Sequence, residues 1–453
     1  MEGPYLLSAT ICSYFGGGGR KGCVFNGASL AGRLHAKTAS NILIHVTACS
    51  LTRCSMNNLN KLKFPISATW KNKFKSLIQH FSLATIAFPM VFAMGARPAL
   101  ANTIYAQTNL TSDISGLAAN TSLNLVNPWG MSFSATSPIW VSDQGTGVST
   151  VYNGAGSLAL TVTVPSSLTP PNGPTGQVNN SSTTDFGGAN FIFATLAGTI
   201  DSRVSGTTAV IQTTTSGAVY TGLALAKSGG SNYLYAANFT SGGGSINVFN
   251  PSFANVTGTT FAGKFVDPSP IAGFAPYNIQ LVSGNLYVEY AEPGATGAIT
   301  GPGLGYVDVF DTSGNFIQRL ATGGVLNAPW GIALAPSSGF GDFSADLLVG
   351  NFGNGQIDAF SPTGTFLGTL DGSNGLPLVN SGLWAIDFGN GSSGTSSTAL
   401  YFTAGINGEA DGLFGDIQAT PEPPSLLLLG AGLLGLVAIP IGRSKFTRLN
   451  GVA

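Results

Sequence analysis

Between positions 102 and 420, short runs of β-branched and aromatic residues are broken every few positions by Gly, Asn or Pro. No stretch there keeps an apolar stripe at helical spacing for more than a turn or two, so the pattern predicts an all-β domain with tight turns. The runs fall into units. Pro128-Trp129-Gly130-Met131-Ser132-Phe133 recurs as Pro329-Trp330-Gly331-Ile332-Ala333-Leu334. Looser copies are Pro276-Tyr277-Asn278-Ile279-Gln280-Leu281 and Leu383-Trp384-Ala385-Ile386-Asp387-Phe388, and two weaker ones begin at Pro174 and Tyr220. The second residue of each copy stands at 129, 175, 221, 277, 330 and 384, at intervals of 46, 46, 56, 53 and 54 residues.

A second strand is predicted after each marker, at 139–143, 191–195, 233–238, 286–290, 347–351 and 400–404. Third strands are predicted at 148–152, 246–249, 307–310 and 357–360, and fourth strands at 158–164, 210–213, 261–265, 316–320 and 366–370. Four short strands in each unit of ~50 residues is the arithmetic of a β-propeller, and six markers predict six blades. The last unit stops after a third strand near 413–417. The stretch 104–110 has no partner in the first unit and is predicted to supply the missing outer strand, closing an edge that would otherwise invite aggregation.

Composition narrows the chemistry. All four cysteines and all three histidines lie before residue 102, so the domain 102–420 has neither. That excludes a Ser-His-Asp triad, a cysteine nucleophile, a structural zinc site and a disulfide within it. The domain sets four cations (Arg203, Lys227, Lys264, Arg319) against 17 carboxylates, a net charge of −13, although the whole chain is near neutral. Such a surface repels phosphate, so no nucleic acid partner is expected. It suits calcium, a hard cation held by carboxylates and carbonyls, as readily as it suits simple solvation.

The ends of the chain read as signals. Lysines at 61, 63, 71, 73 and 75 precede an apolar stretch at 77–94, and Ala99-Leu100-Ala101 offers signal peptidase the small residues it accepts. Residues 56–101 are therefore predicted to be a signal peptide cut before Asn102. Residues 1–55 are predicted to be disordered or to precede the true start at Met56. At the other end, Pro421-Glu422-Pro423 is followed by an apolar run at 425–442 and by Arg443, Lys445 and Arg448. As a helix that run measures ~27 Å, enough to span a bilayer with its basic end cytoplasmic. The three parts in this order resemble the PEP-CTERM sorting signal of Gram-negative bacteria, which implies processing by an exosortase; an ordinary C-terminal anchor is the alternative.

Asn127-Pro128-Trp129-Gly130, Trp140-Val141-Ser142-Asp143, Gly305-Tyr306-Val307-Asp308-Val309-Phe310-Asp311, Leu348-Val349-Gly350-Asn351-Phe352-Gly353 and the segment from Gly408 to Gly415 are similar to the motifs of bacterial NHL-like propellers that often carry this signal. The resemblance covers roughly 105–418. It implies a fold and a location, a six-bladed NHL-like propeller with a C-terminal transmembrane helix, and no activity.

Candidate site residues come from equivalent strand ends. The second strands end at Asp143, Thr195, Asn238, Tyr290, Asn351 and Ala404, and the first five are candidates for a ligand-binding ring facing the central channel. The alternative is that such Asp and Asn side chains cap turns. Trp129, Tyr277, Trp330 and Trp384 either stack on sugar rings or fill the core between blades. Asp308 with Asp311, and Glu409 with Asp411, are weak candidates for calcium or for an acid–base pair; neither group matches an EF-hand. No other cofactor is expected. Two functions follow as expectations. One is a non-catalytic exported propeller that binds extracellular polysaccharide or a surface protein. The other is a carboxylate- or calcium-dependent lyase or hydrolase acting on extracellular polymers.

Overall fold

The computed structural model of the chain describes residues 103–165 and 173–420. The leader segments 1–55 and 56–101, with Ala99 and Ala101, lie outside the described residues. So do the sorting triplet Pro421, Glu422 and Pro423, the apolar run 425–442 and the basic tail. Among the described residues no helix is long and apolar enough to cross a membrane.

The described strands form six sheets, each a blade that runs outward from its marker motif. Blade 1 comprises Pro128–Ser132, Ile139–Asp143, Val148–Tyr152 and Leu158–Thr163. Blade 2 comprises Pro174–Asn179, Phe191–Thr195, Thr199–Arg203 and Val210–Thr214; blade 3 has only Tyr220–Ser228, Ser231–Asn238 and Ser245–Phe249. Blade 4 is built from Ala275–Val282, Asn285–Pro293, Tyr306–Phe310 and Phe316–Thr322, and blade 5 from Pro329–Leu334, Leu347–Asn351, Ile357–Phe360 and Phe366–Thr369. Blade 6 contains Leu383–Phe388, Leu400–Ala404 and Leu413–Thr420, and its outer strand is the N-terminal Ile104–Ser112, antiparallel to Leu413–Thr420 with Ile104 opposite Thr420. The ring is therefore latched as the unpartnered N-terminal stretch predicts.

Two expectations need correction. The segment 261–265 forms no strand. Its backbone closes turns, with Lys264 N–H donating to the Phe261 carbonyl (3.1 Å) and Phe265 N–H to Gly314 (2.8 Å). Its rings cover the blade instead, Phe261 lying 4.9 Å from Tyr233 and Phe265 5.6 Å from Tyr235. Apolar content alone does not distinguish a strand from a loop whose side chains cap a sheet. Conversely, Thr199–Arg203 was not foreseen, because a strand with one apolar residue among five leaves no pattern.

The third residue of the marker motif fixes the waist of the ring. A Cβ on Gly130 would collide with the backbone of Thr175, on Gly176 with Leu223, on Gly222 with Asn278, and on Gly331 with Trp384. The first strands of successive blades thus approach to backbone contact, which only glycine permits at these points. Asn278 replaces the glycine in blade 4 and ties it to blade 5 by donating from Nδ2 to the Trp330 carbonyl (2.6 Å). Thr175 Oγ1 donates to Tyr220 (2.6 Å) and Thr403 Oγ1 to Trp129 (2.6 Å), joining blade 2 to 3 and blade 6 to 1.

At the axis the marker aromatics form a plug. Trp129 stacks on Trp384 with centroids 3.6 Å apart and planes 20° apart, and Trp330 meets both edge-on at 6.3 and 5.7 Å. Trp330 Nε1 donates across the ring to the Thr221 carbonyl (3.2 Å). Trp129, Tyr277, Trp330 and Trp384 are 6, 1, 3 and 1 % exposed. Their faces belong to the core and are not offered to a sugar.

Each blade also encloses polar groups. Thr150 Oγ1 donates to Asp143 (2.7 Å), Thr199 Oγ1 to Asp201 (2.6 Å), and both Asn351 Nδ2 (2.8 Å) and Thr369 Oγ1 (2.6 Å) to Asp358. Burial pushes Asp143 well above the usual carboxylate range, Asp201 up to about 7 and Asp358 upward, in each case against these hydrogen bonds. Glu289 is fully buried in blade 4 and neither carboxyl oxygen has a partner in another residue, so burial drives its pKa well up too.

Three measurements test this interior. Trp330→Ala should cost about 3–5 kcal/mol in urea unfolding, as for other large core truncations; a loss below about 1 kcal/mol would show that the plug contributes no packing energy. A carboxyl whose pKa is raised by folding holds its proton preferentially in the folded state, so its contribution is complete below about pH 4 and is lost as pH rises through the folded value. For Asp201 that window closes near pH 7. The melting temperature should accordingly fall between pH 5 and pH 8, and Asp201→Asn should reduce the fall, each pH unit being worth about 1.4 kcal/mol; an unchanged fall would mean that Asp201 is ionised throughout. Glu289→Met removes an unpaired buried acid and is expected to stabilise the fold by about 1–3 kcal/mol, with destabilisation the contrary result.

Candidate functional site

The predicted ring residues lie within the blades. The channel is lined by the first strand of each blade, while Asp143, Thr195 and Asn351 end second strands and bond within their own blades. Asn238 Oδ1 accepts from Val219 N–H (2.9 Å) and Asn351 Oδ1 from Asn327 N–H (2.9 Å), each fixing the turn that leads into its blade. Tyr290 lies further out, stacked on Tyr306 at 4.2 Å beside a cavity of about 540 Å³ between blades 3 and 4. The structure therefore gathers none of these five at one ligand position.

Three of the four metal candidates, Asp308, Asp311 and Asp411, are engaged elsewhere. Arg319 bridges Asp267 and Asp308, the latter at 2.9 Å, and its guanidinium lies 4.4 Å over the Tyr306 ring. Burial raises Asp308 to about 6, against the pull of Arg319. Asp311 caps its turn by accepting from Ser313 N–H (2.9 Å) and Asn315 N–H (2.8 Å), and Asp411 accepts from Asn407 Nδ2 (2.8 Å). No group of three His, Cys, Asp or Glu side chains among the described residues is placed to hold a metal ion.

The tryptophan plug separates two mouths. One is a cavity of about 310 Å³ at the ends of the first strands, where Ser132, Asn179, Gln280 and Asp387 meet Trp330. Burial raises Asp387 there to about 7, although it accepts from Phe388 N–H (2.8 Å). The other, which we call the upper mouth, is a cavity of about 450 Å³ floored by Trp129, Tyr277 and Trp384 and walled by Gln144, Glu409 and the loop from Pro293 to Gly297.

Asn127 organises the upper mouth. Its Nδ2 donates to Gln144 Oε1 (2.9 Å) and Glu409 Oε2 (3.0 Å), while its Oδ1 accepts from Trp384 Nε1 (3.0 Å). It sits in the left-handed region at φ +46°, a conformation Asn tolerates better than most residues. Glu409 is similarly placed at φ +70°, following Asn407 at +55° and Gly408 at +68°. Non-glycine residues held there store backbone strain, typically of order 1–3 kcal/mol each, and they persist where the surroundings over-determine them. The surroundings here include the latch: Ser112 Oγ donates to the Gly412 carbonyl (2.7 Å), Gly412 N–H to Asp113 (2.9 Å), and Asn127 N–H to the Asp411 carbonyl (3.4 Å). Half-buried Glu409 has its pKa raised by burial, against the hydrogen bond from Asn127. Trp129 Nε1, buried on the floor of the same mouth, has no hydrogen-bond partner.

Sequence reasoning named Glu409 for a different role and missed Asn127 and Gln144 as site residues. The available signal was local: Asn directly before the Pro-Trp-Gly motif marks a constrained turn at the start of a first strand.

No family model matches the sequence. Among solved structures, the fold is similar to a glucose dehydrogenase (14 % identity, TM-score 0.45, covering 70 % of this chain and 100 % of that one). It is similar also to virginiamycin B lyase from Staphylococcus aureus (13 %, TM-score 0.39, 70 % and 100 %). A protein from Bacteroides thetaiotaomicron is similar at 11 % identity and TM-score 0.45, covering 69 % of this chain and 76 % of that one. Sequence relatives are viral, where the motifs pointed to bacterial propellers. Uncharacterized protein R648 of Acanthamoeba polyphaga mimivirus is 33 % identical over 350 residues, 73 % of this chain and 83 % of the relative. Uncharacterized protein L690 of the same virus is 32 % identical over 349 residues, 73 % of this chain and 89 % of the relative. With a third of residues identical over most of both chains, the protein belongs to the family of mimivirus R648 and L690.

Proposed function

We propose that the protein is an exported, surface-sorted propeller that binds an extracellular polymer, polysaccharide in the first instance, without cleaving it. The observation that carries this reading is the upper mouth, where one carboxylate, Glu409, faces a pocket otherwise lined by amide, hydroxyl, glycine, aliphatic and aromatic groups. Glycosidic cleavage by paired carboxylates needs a second acid ~5–9 Å from the first. The nearer acids are committed, Asp411 to Asn407 and Asp113 to Gly412. The plug keeps Asp387 on the other side of the ring from Glu409. Export rests on the sequence: cleavage after Ala101 by signal peptidase, then recognition of Pro421-Glu422-Pro423 by an exosortase-type enzyme while 425–442 lies in the membrane and Arg443, Lys445 and Arg448 stay behind.

Calorimetric titration with extracellular polysaccharide, in calcium and again in chelator, paired with sizing of the polymer, tests the reading. Heat of binding with unchanged polymer length in both buffers is the expected outcome. Shortening of the polymer that disappears on chelation would replace this reading with the calcium-dependent lyase or hydrolase.

A further inference from the structure

We infer that the upper mouth recognises an amino sugar with a free amine, presented as a unit of a cationic polysaccharide. The inference rests on the reading of that mouth as a binding site and adds the chemical class of the ligand. Two buried or half-buried groups define what must enter. Trp129 Nε1–H is a donor without a partner on a side chain 6 % exposed that floors the cavity; the atom itself is closed to solvent, and a ligand oxygen, from a hydroxyl or ring ether, would satisfy it where the floor yields to admit one. Glu409 calls for the opposite: its carboxylate is held into the pocket by Asn127 and by a left-handed backbone, and no described cation lines the cavity to neutralise it. Arg203 lies over Trp140, Arg319 pairs with Asp267 and Asp308, and Lys264 donates to Asn315, all away from this mouth.

A ligand that offers an ammonium group and hydroxyls on one small ring meets both demands. The hydroxyls of Thr221, Thr240 and Ser241 on the same wall suit the remaining ring hydroxyls. About 450 Å³ falls within the ~300–1,000 Å³ usual for small-molecule pockets and accommodates a short stretch of sugar. Long-range electrostatics act in the same direction. A domain with four cations and 17 carboxylates attracts a polycation and repels uronate, sulfate and phosphate polymers. Because the tryptophan faces are buried, recognition falls to hydrogen bonds and charge instead of stacking, which makes it sensitive to the amine.

The test is calorimetry on the purified protein with three probes of equal length: a glucosamine tetramer, its fully N-acetylated counterpart and an oligogalacturonate. The glucosamine tetramer should bind at least about tenfold more tightly than the acetylated one, the uronate should give no heat, and added salt should weaken binding. Glu409→Gln should lose about tenfold or more in affinity for the amine probe alone, with an unchanged melting temperature. Equal affinity for amine and acetylated tetramers, both lost in Trp129→Phe, would overturn the amino-sugar assignment and leave the mouth a glycan site. Binding of the amine probe that Glu409→Gln does not weaken would overturn the assignment of the charge contact to this mouth. Absence of heat with every glycan would remove both this inference and the polysaccharide reading beneath it.

Discussion

The close approach of the six first strands is the constraint from which the rest of the molecule follows. Glycine at the third motif position lets neighbouring backbones touch, which leaves too little room at the waist for an open channel. The large residue at the second position of four of the motifs then turns into the axis and packs with its counterparts, Trp129 face to face with Trp384 and Trp330 edge-on to both. A plugged waist converts a tunnel into two separate mouths with different chemistry. A site is thereby confined to one face, and carboxylates on opposite faces cannot cooperate.

The fold was legible because this constraint repeats. Pro-Trp-Gly stands out in a chain otherwise short of tryptophan, and its period carried both the blade count and the latch. Second strands at Ile139–Asp143, Phe191–Thr195, Leu347–Asn351 and Leu400–Ala404 fall where the apolar runs place them. The failures have specific causes. Thr199–Arg203 gains its partners from neighbouring strands and carries no pattern of its own. The 261–265 run is apolar because its rings cover Tyr233 and Tyr235, not because its backbone joins a ladder. The candidate ring is drawn from the ends of second strands, and equivalence among blades relates those positions without showing which of them face the axis. Asn351 and Asp143 are equivalent and polar because each closes hydrogen bonds inside its blade.

Polar groups in this protein therefore fall into two populations. Those inside the blades, all but the unpartnered Glu289, accept from neighbouring side chains and remain uncharged more readily than ordinary acids, since burial favours the protonated form. Lacking histidine and cysteine, the domain has no side chain with an ordinary pKa near neutrality, so the pH response of its side chains is written in its raised carboxyls. The second population gathers at the upper mouth around Asn127, which lies three residues before the waist glycine Gly130 and orients one acid, one amide and one indole at once. Its side-chain oxygen fits against Gly405, where a Cβ would collide with it.

Closure of the ring and construction of the mouth are consequently one event. The strand Ile104–Ser112 completes blade 6, and the residues where it ends, Ser112 and Asp113, grip Gly412 from both sides of its peptide. Gly412 lies three residues beyond Glu409, which ends the strained turn Asn407-Gly408-Glu409. Without the latch that turn would lose the hydrogen bonds that hold it, Glu409 would relax toward solvent, and Asn127 would lose its carboxylate partner. The strand that hides a sheet edge also sets the position of the charge on which recognition depends. This arrangement explains why strain is tolerated at Glu409: relieving it would require opening the blade that closes the ring.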